Sequence, residues 1–108
     1  MTDLPQPFLA RRRSDNGRVV IELSGECDLA SLGELNEILR QAVAAQPREL
    51  VVDLAQTTFV DSLTLGALTS AARQVRARGG SFQLVRVVAP EIKLALAITG
   101  LDDYLSSR

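Results

Sequence analysis

Ser62 is the side chain best placed for chemistry in this sequence, because it follows Asp61 at the start of a predicted amphipathic helix. The apolar run Leu50–Leu54 predicts a buried strand, and a polar loop connects that strand to the Asp61-Ser62 pair. A hydroxyl at an exposed helix N-terminus suits docking or phosphorylation, since the helix dipole and unpaired N–H groups favour a phosphate there. A purely structural interpretation stays open, because Ser and Asp commonly cap helices.

A second polar cluster contains Glu26 and Asp28, which flank the lone cysteine, Cys27. Paired carboxylates can serve acid–base catalysis or bind a metal, but two residues in one loop are a weak signal. Solvation of the loop is the simplest interpretation, and contact with a partner is the main alternative. Cys27 is expected to be a buried apolar residue, because the chain has no histidine to activate a thiol.

Composition narrows the classes of function. The 108 residues predict a single domain over 1–108, with 12 basic and 13 acidic residues giving a net charge of −1. This balance argues against general binding to nucleic acid or to an anionic membrane. No apolar run reaches the roughly 18 residues that a membrane span needs, so we expect a cytoplasmic protein. We expect no cofactor, because the sequence has no histidine and no metal-ligand cluster. The basic run Arg11–Arg13 is expected to lie on a solvated edge strand, with a partner or lipid patch as the alternative.

Alternating patterns predict the element order β-β-α-β-α-β-α, and hence an α/β sandwich with a mixed sheet and parallel crossovers. Ser31 and Glu34 have the spacing of a capping box for the first helix. The predicted strands are Phe8–Arg13, Arg18–Ser24, Glu49–Leu54 and Ser81–Val88, and the predicted helices begin near Ser31, Ser62 and Pro90.

The second predicted helix, residues 62–77, has two distinct faces. One stripe is apolar and should pack against the sheet: Leu65, Leu68, Ala72 and Val75. The other carries small and polar residues that should face water as a flat docking surface: Ser62, Gly66, Thr69, Arg73 and Arg76. Phe59 and Tyr104 are predicted to lie in the core, because aromatic residues are few in this chain.

Several motifs along nearly the whole chain resemble the STAS family, and especially its bacterial anti-sigma-factor antagonists. The resemblance is carried by Gly25–Asp28, the strand Leu50–Leu54, Phe59–Ser62, the Gly79-Gly80 break and the segment from Ala89-Pro90 to Leu101. It implies a sheet of four to five strands with helices packed mainly on one side.

The resemblance also implies a partner-switching cycle. An unphosphorylated antagonist binds an anti-sigma factor that is a serine kinase, phosphorylation of Ser62 releases it, and a Ser/Thr phosphatase resets the switch. The partner-binding residues implied by position and by helical spacing are Glu26, Asp28, Asp61, Ser62, Leu63, Gly66, Thr69 and Arg73.

The acceptor motif differs from the usual family pattern of Asp-Ser-Ser/Thr-Gly-Leu-Gly. Leu63 replaces the second hydroxyl residue, and Thr64 replaces the first glycine. Thr64 is expected to restrict the backbone and to add bulk where a kinase approaches, whereas an exposed Leu63 would strengthen docking.

Two other functions are considered beside the antagonist. The chain would serve as a constitutive STAS scaffold or as an accessory subunit of a membrane transport or signalling complex, with Ser62 only capping its helix. A small enzyme using Glu26, Asp28 and Ser62 is disfavoured, because the sequence has no histidine, phosphate loop or base–nucleophile pair.

Overall fold

The computed structural model describes residues 7–106, which contain four strands and four helices. The first two strands form a hairpin, helices alternate with the other two strands, and the last two helices are consecutive. A single 3₁₀ turn, Leu29–Ser31, precedes the first helix. The strands are β1 (Leu9–Asp15), β2 (Arg18–Cys27), β3 (Glu49–Val60) and β4 (Ser81–Val85), and the helices are α1 (Leu32–Ala44), α2 (Ser62–Ala77), α3 (Pro90–Thr99) and α4 (Leu101–Ser106).

The strands form one mixed sheet in the order β1-β2-β3-β4. β1 and β2 are antiparallel, whereas β3 is parallel to both β2 and β4. The hairpin turn consists of Asn16 and Gly17, with φ of 51° and 81°. Positive φ at both residues suits a two-residue connection, because the turn then matches the twist of the two strands. The predicted mixed α/β class is therefore confirmed, with four strands in the part of the chain that the structure describes.

The core lies on one face of the sheet, because alternate residues of the strands pack against all four helices. β2 and β3 contribute Ile21, Leu23, Leu50 and Val52 to it. The apolar stripe predicted for α2 is confirmed, since its members are at most 4% exposed: Leu65, Leu68, Ala72 and Val75. This packing fixes the orientation of α2 and hence the direction in which its first turn points.

β2 and β3 extend beyond their predicted ends, to Cys27 and Val60 respectively. A register shift lies between the pairs Glu22↔Asp53 and Ser24↔Gln56, so that the polar second half of β3 pairs with the end of β2. The sequence predicts loops for both segments, because the apolar pattern of each strand stops before them. β4 instead ends before its predicted limit, since Arg86 adopts a positive φ of 54° that cannot continue a strand.

The start of α1 also differs from the prediction. Ser31 precedes the helix but makes no side-chain cap to it, so the predicted Ser31–Glu34 capping box is wrong. Ser31 instead completes a capping box with Asp28. The Ser31 hydroxyl accepts a hydrogen bond from the Asp28 N–H and donates one to the Asp28 carbonyl. The Asp28 segment is therefore a structured turn.

Candidate functional site

The parallel pairing of β2 with β3 brings the two acidic segments together at one end of the sheet. Cys27 pairs with Val60, the last residue of β3, and the Asp61 N–H donates to the Cys27 carbonyl at 3.2 Å. Asp28 follows Cys27 directly, just as Ser62 follows Asp61. We name the region formed by the Asp28 turn and the first turn of α2 the acceptor end.

Ser62 is the first residue of α2, and its side chain is exposed. Asp61 is the N-cap, because its Oδ1 accepts a hydrogen bond from the Thr64 N–H at 2.8 Å. The Ser62 hydroxyl makes no hydrogen bond with any of residues 7–106. The helix therefore begins without using the hydroxyl that the sequence singled out.

The two carboxylates predicted as one loop cluster occupy different positions. Glu26 lies within β2, opposite Phe59, and is half-buried. Asp28 stands after the strand, where its Oδ1 accepts from the Ala30 N–H at 3.0 Å. Only Asp28 therefore belongs to the turn beside α2, and part of its role is to cap that turn.

Thr64 does not add bulk to the approach to Ser62, so that prediction is wrong. Its side chain is fully buried, and its Oγ1 donates to the Cys27 carbonyl at 2.9 Å. The change from the usual glycine therefore places a hydroxyl inside the protein, between β2 and α2.

The outward face of α2 is only partly as predicted. Ser62, Gly66 and Arg73 are exposed, and nothing lies within 4 Å of a Cβ added at Gly66. Thr69 is half-buried and donates through its hydroxyl to the Leu65 carbonyl at 2.7 Å. The predicted docking surface of α2 is therefore most accessible over the first two turns of the helix.

Arg76 does not stand in the outward row of α2 as predicted. It is half-buried, its guanidinium lies 4.6 Å from the centre of the Tyr104 ring, and it donates to the Phe82 carbonyl at 3.2 Å. The last turn of α2 is therefore tied to α4 and β4 and is less available to a partner than the first.

Large apolar side chains are exposed near the acceptor end, among them Leu29 at 69% and Leu63 at 50%. The sequence indicated Leu63 but missed Leu29, whose signal was an apolar residue inside a polar turn. Phe59 and Tyr104 were predicted to be core residues, yet they are 43% and 37% exposed. Phe59 points away from the core because its neighbour Val60 points into it.

Asp53 is a buried carboxylate within the strand that the sequence predicts from its apolar residues. It is 5% exposed and accepts hydrogen bonds from the Arg86 Nε at 3.0 Å and from the Ala55 N–H at 2.9 Å. Burial alone would raise the pKa of Asp53, but the Arg86 guanidinium and the Ala55 N–H hold it below its usual value. A lone acid within a buried run is a signal for such a partner.

The acceptor end combines an exposed hydroxyl, the Asp28 and Asp61 carboxylates and a buried thiol. Burial, with the nearby Asp28 and Asp61 carboxylates, raises the pKa of the Cys27 thiol to about 12, so it stays protonated. Among residues 7–106 no cluster of three or more metal-ligating side chains occurs. No helix in that range is long and apolar enough to cross a bilayer.

Comparison with known proteins identifies the family. A family model described as "Mlab, STAS domain" matches residues 10–106. The chain belongs to the STAS family. The Bacillus subtilis anti-sigma-B factor antagonist is 29% identical to this STAS chain over 93 residues, covering 86% of the chain and 84% of that protein.

Two mycobacterial proteins are also similar to this STAS chain. The anti-sigma-F factor antagonist RsfB of Mycobacterium tuberculosis is 33% identical over 60 residues, which cover 56% of the chain and 49% of that relative. The match therefore spans about half the length of RsfB. The crystal structure of an anti-sigma factor antagonist from Mycobacterium paratuberculosis superposes with a TM-score of 0.84 at 27% identity, covering 94% of this chain and 87% of that one.

Proposed function

We propose that this STAS chain is a cytoplasmic anti-sigma-factor antagonist whose binding is switched by phosphorylation of Ser62. The observation that carries the proposal is the division of roles at the start of α2. Asp61 caps the helix, so the exposed Ser62 hydroxyl has no structural duty and is accessible to a kinase. The names of the similar proteins support the choice of an anti-sigma factor as partner.

The unphosphorylated acceptor end suits a partner surface that combines apolar and basic groups. Leu29 and Leu63 supply exposed apolar area, while Asp28 and Asp61 supply negative charge. Gly66 lets the partner approach the helix backbone closely. Glu26, Thr69 and Arg73 would contact the partner at the margin of this surface.

Phosphorylation would transfer the γ-phosphoryl group of ATP to the Ser62 oxygen, with release of ADP and passage of the hydroxyl proton to the kinase. The first N–H groups of α2 and the helix dipole would stabilise the phosphate, so the fold should tolerate it. The added charge of about −1.5 to −2 would lie beside Asp61 and Asp28, and it would disturb a closely packed interface because the apolar part of the partner surface would have to desolvate it. A phosphatase would return the chain to its binding state.

The test is to incubate the chain with ATP and an anti-sigma factor kinase of the same organism, then to locate phosphate by peptide mass. Ser62→Ala should bind without acquiring label, and Ser62→Asp should bind at least about tenfold more weakly with little change in melting temperature. Asn16→Asp is the matched control, since it adds the same charge in the β1–β2 turn, at the opposite end of the sheet from Ser62. Label persisting on Ser62→Ala would contradict the assignment of the acceptor.

Leu63 favours a second function, in which the chain is a constitutive scaffold or an accessory subunit of a membrane-associated complex. An exposed apolar side chain beside Ser62 would strengthen a contact that is never released. In the same experiment, stable partner binding with no phosphate on the wild-type chain would support this function over the switch.

A further inference from the structure

Two hydrogen bonds from the start of α2 converge on a single backbone carbonyl at the end of β2. The Cys27 oxygen accepts from the Asp61 N–H at 3.2 Å and from the Thr64 Oγ1 at 2.9 Å. The Thr64 N–H in turn donates to the Asp61 Oδ1 at 2.8 Å. We call these three residues the Cys27 clasp.

We infer that Thr64 is a positioning residue, which holds Ser62 in a fixed relation to the Asp28 turn through the Cys27 clasp. Cys27 is joined directly to Asp28, while Asp61 directly precedes Ser62 and Thr64 follows it by two residues. A partner therefore meets the Asp28 turn and the first turn of α2 as one rigid surface. The effect on partner binding rests on the proposed function, whereas the positioning itself does not.

The hydroxyl of Thr64 behaves differently from the other helical threonines. Thr69 and Thr99 donate to the carbonyl four residues earlier in their own helices, both at 2.7 Å, which is the ordinary local bond. Thr64 instead donates to a residue 37 positions away, on another element. Its side chain is fully buried, so water does not compete for the Cys27 carbonyl.

The Thr64 hydroxyl adds a second hydrogen bond to the one that the Asp61 N–H makes to the Cys27 carbonyl. Terminal helical turns open readily unless a cap or a tertiary contact holds them. Without the Thr64 hydroxyl, the Asp61 N–H bond alone would connect the Cys27 carbonyl to the first turn of α2. Both sides of the acceptor end would then open more often and independently.

The first test needs no partner and compares Thr64→Val with Thr57→Val by amide hydrogen exchange. Thr57 is the matched control: it is 2% exposed, and its Oγ1 donates to the Leu23 carbonyl at 2.8 Å within the sheet. Thr64→Val should accelerate exchange of the Asp28, Asp61 and Thr64 amides by about fivefold to tenfold beyond any global change. Thr57→Val should leave those amides at the rate set by global stability.

Thr64→Ser, which keeps the hydroxyl, should restore slow exchange. If the valine variant does not fold, Thr64→Ala gives the same readout without placing a methyl group against the carbonyl. Equal exchange in the Thr64 and Thr57 variants, after correction for their unfolding free energies, would overturn the inference.

The second test measures affinity for the anti-sigma factor kinase by calorimetry. Thr64→Val should bind at least about fivefold more weakly than wild type, whereas the affinity of Thr57→Val should stay within about twofold of the wild-type value. Wild-type affinity in Thr64→Val, despite faster exchange, would show that binding does not need the fixed geometry and would overturn that part of the inference. Failure of the wild-type chain to bind any such kinase would instead count against the proposed function, and the exchange result would stand by itself.

Discussion

Asp61 and Ser62 are neighbours with opposite relations to the fold. Asp61 accepts a hydrogen bond that begins α2, while Ser62 is exposed and contributes no bond to residues 7–106. Side chains free of structural roles can be modified or replaced without unfolding a protein. This separation would allow the proposed phosphorylation to add charge at Ser62 while the scaffold stays intact.

Alanine substitutions should therefore affect stability unequally at these two positions. Asp61→Ala should lower the free energy of unfolding by about 1 kcal/mol, because the Thr64 N–H loses its cap. Ser62→Ala should change it by less than about 0.5 kcal/mol. Urea denaturation at pH 7 measures both, and a comparable loss in Ser62→Ala would mean that its hydroxyl does support the helix.

Asp28 combines a charge with a capping bond, so its alanine variant cannot separate binding from stability. Asp28→Asn keeps an oxygen that can accept from the Ala30 N–H but removes the negative charge. It should weaken partner binding with little change in melting temperature, whereas Asp28→Ala should lower both. Unchanged affinity in Asp28→Asn would show that the charge has no part in recognition.

The Asp53–Arg86 pair should make stability depend on acid pH. Because the folded-state pKa of Asp53 is lowered, its carboxyl binds a proton less readily when folded than when unfolded. The stabilisation is complete above the unfolded pKa, near 3.8, and is lost as pH falls through the lower folded value. Asp53→Asn should be less stable than wild type at pH 7 and should lose less stability between pH 5 and 2.

The measurement for that pair is urea denaturation at several pH values. Asp103→Asn serves as a control, because it removes an exposed carboxylate from α4. Equal acid dependence in the wild type and Asp53→Asn would show that the buried pair is not linked to folding.

At the level of elements, α2 packs one face into the core and exposes the face that we propose as a binding surface. Gly66 lies on its exposed side with open space where a side chain would project. Gly66→Ala should stabilise the chain by up to about 1 kcal/mol through helix propensity. Gly66→Arg should leave the fold intact but block partner binding, and undiminished binding of the arginine variant would exclude this face from the interface.

A comparison of α2 with β3 shows why sequence patterns predicted the scaffold better than the surroundings of Ser62. The bounds of α2 and the buried stripe followed from helical periodicity, because a single core face leaves a clear repeat. The second half of β3 has no such repeat, since Thr57 is buried and its hydroxyl bonds the Leu23 carbonyl while Phe59 is exposed. The contact of Thr64 with Cys27 joins residues far apart in sequence, and no local pattern carries that information.

For the whole molecule, the core is built on one face of the sheet, and the acceptor end lies where β2 and β3 terminate together. The pairing of β2 with β3 sets the shape and charge of that end, and it joins residues far apart in sequence. The opposite end of the sheet carries the Asn16-Gly17 turn. A partner at the acceptor end would therefore contact residues from both halves of the chain. Binding there should stabilise the folded state as a unit.

Cys27 gives the molecule an internal chemical reporter. Its thiol is fully buried with a pKa raised to about 12, while its carbonyl is the centre of the clasp beneath the acceptor end. A thiol-specific reagent can modify it only when that region opens, so the modification rate counts opening events. A bound partner should slow the reaction and phosphorylation of Ser62 should remove that protection, so one colorimetric time course would read the state of the switch.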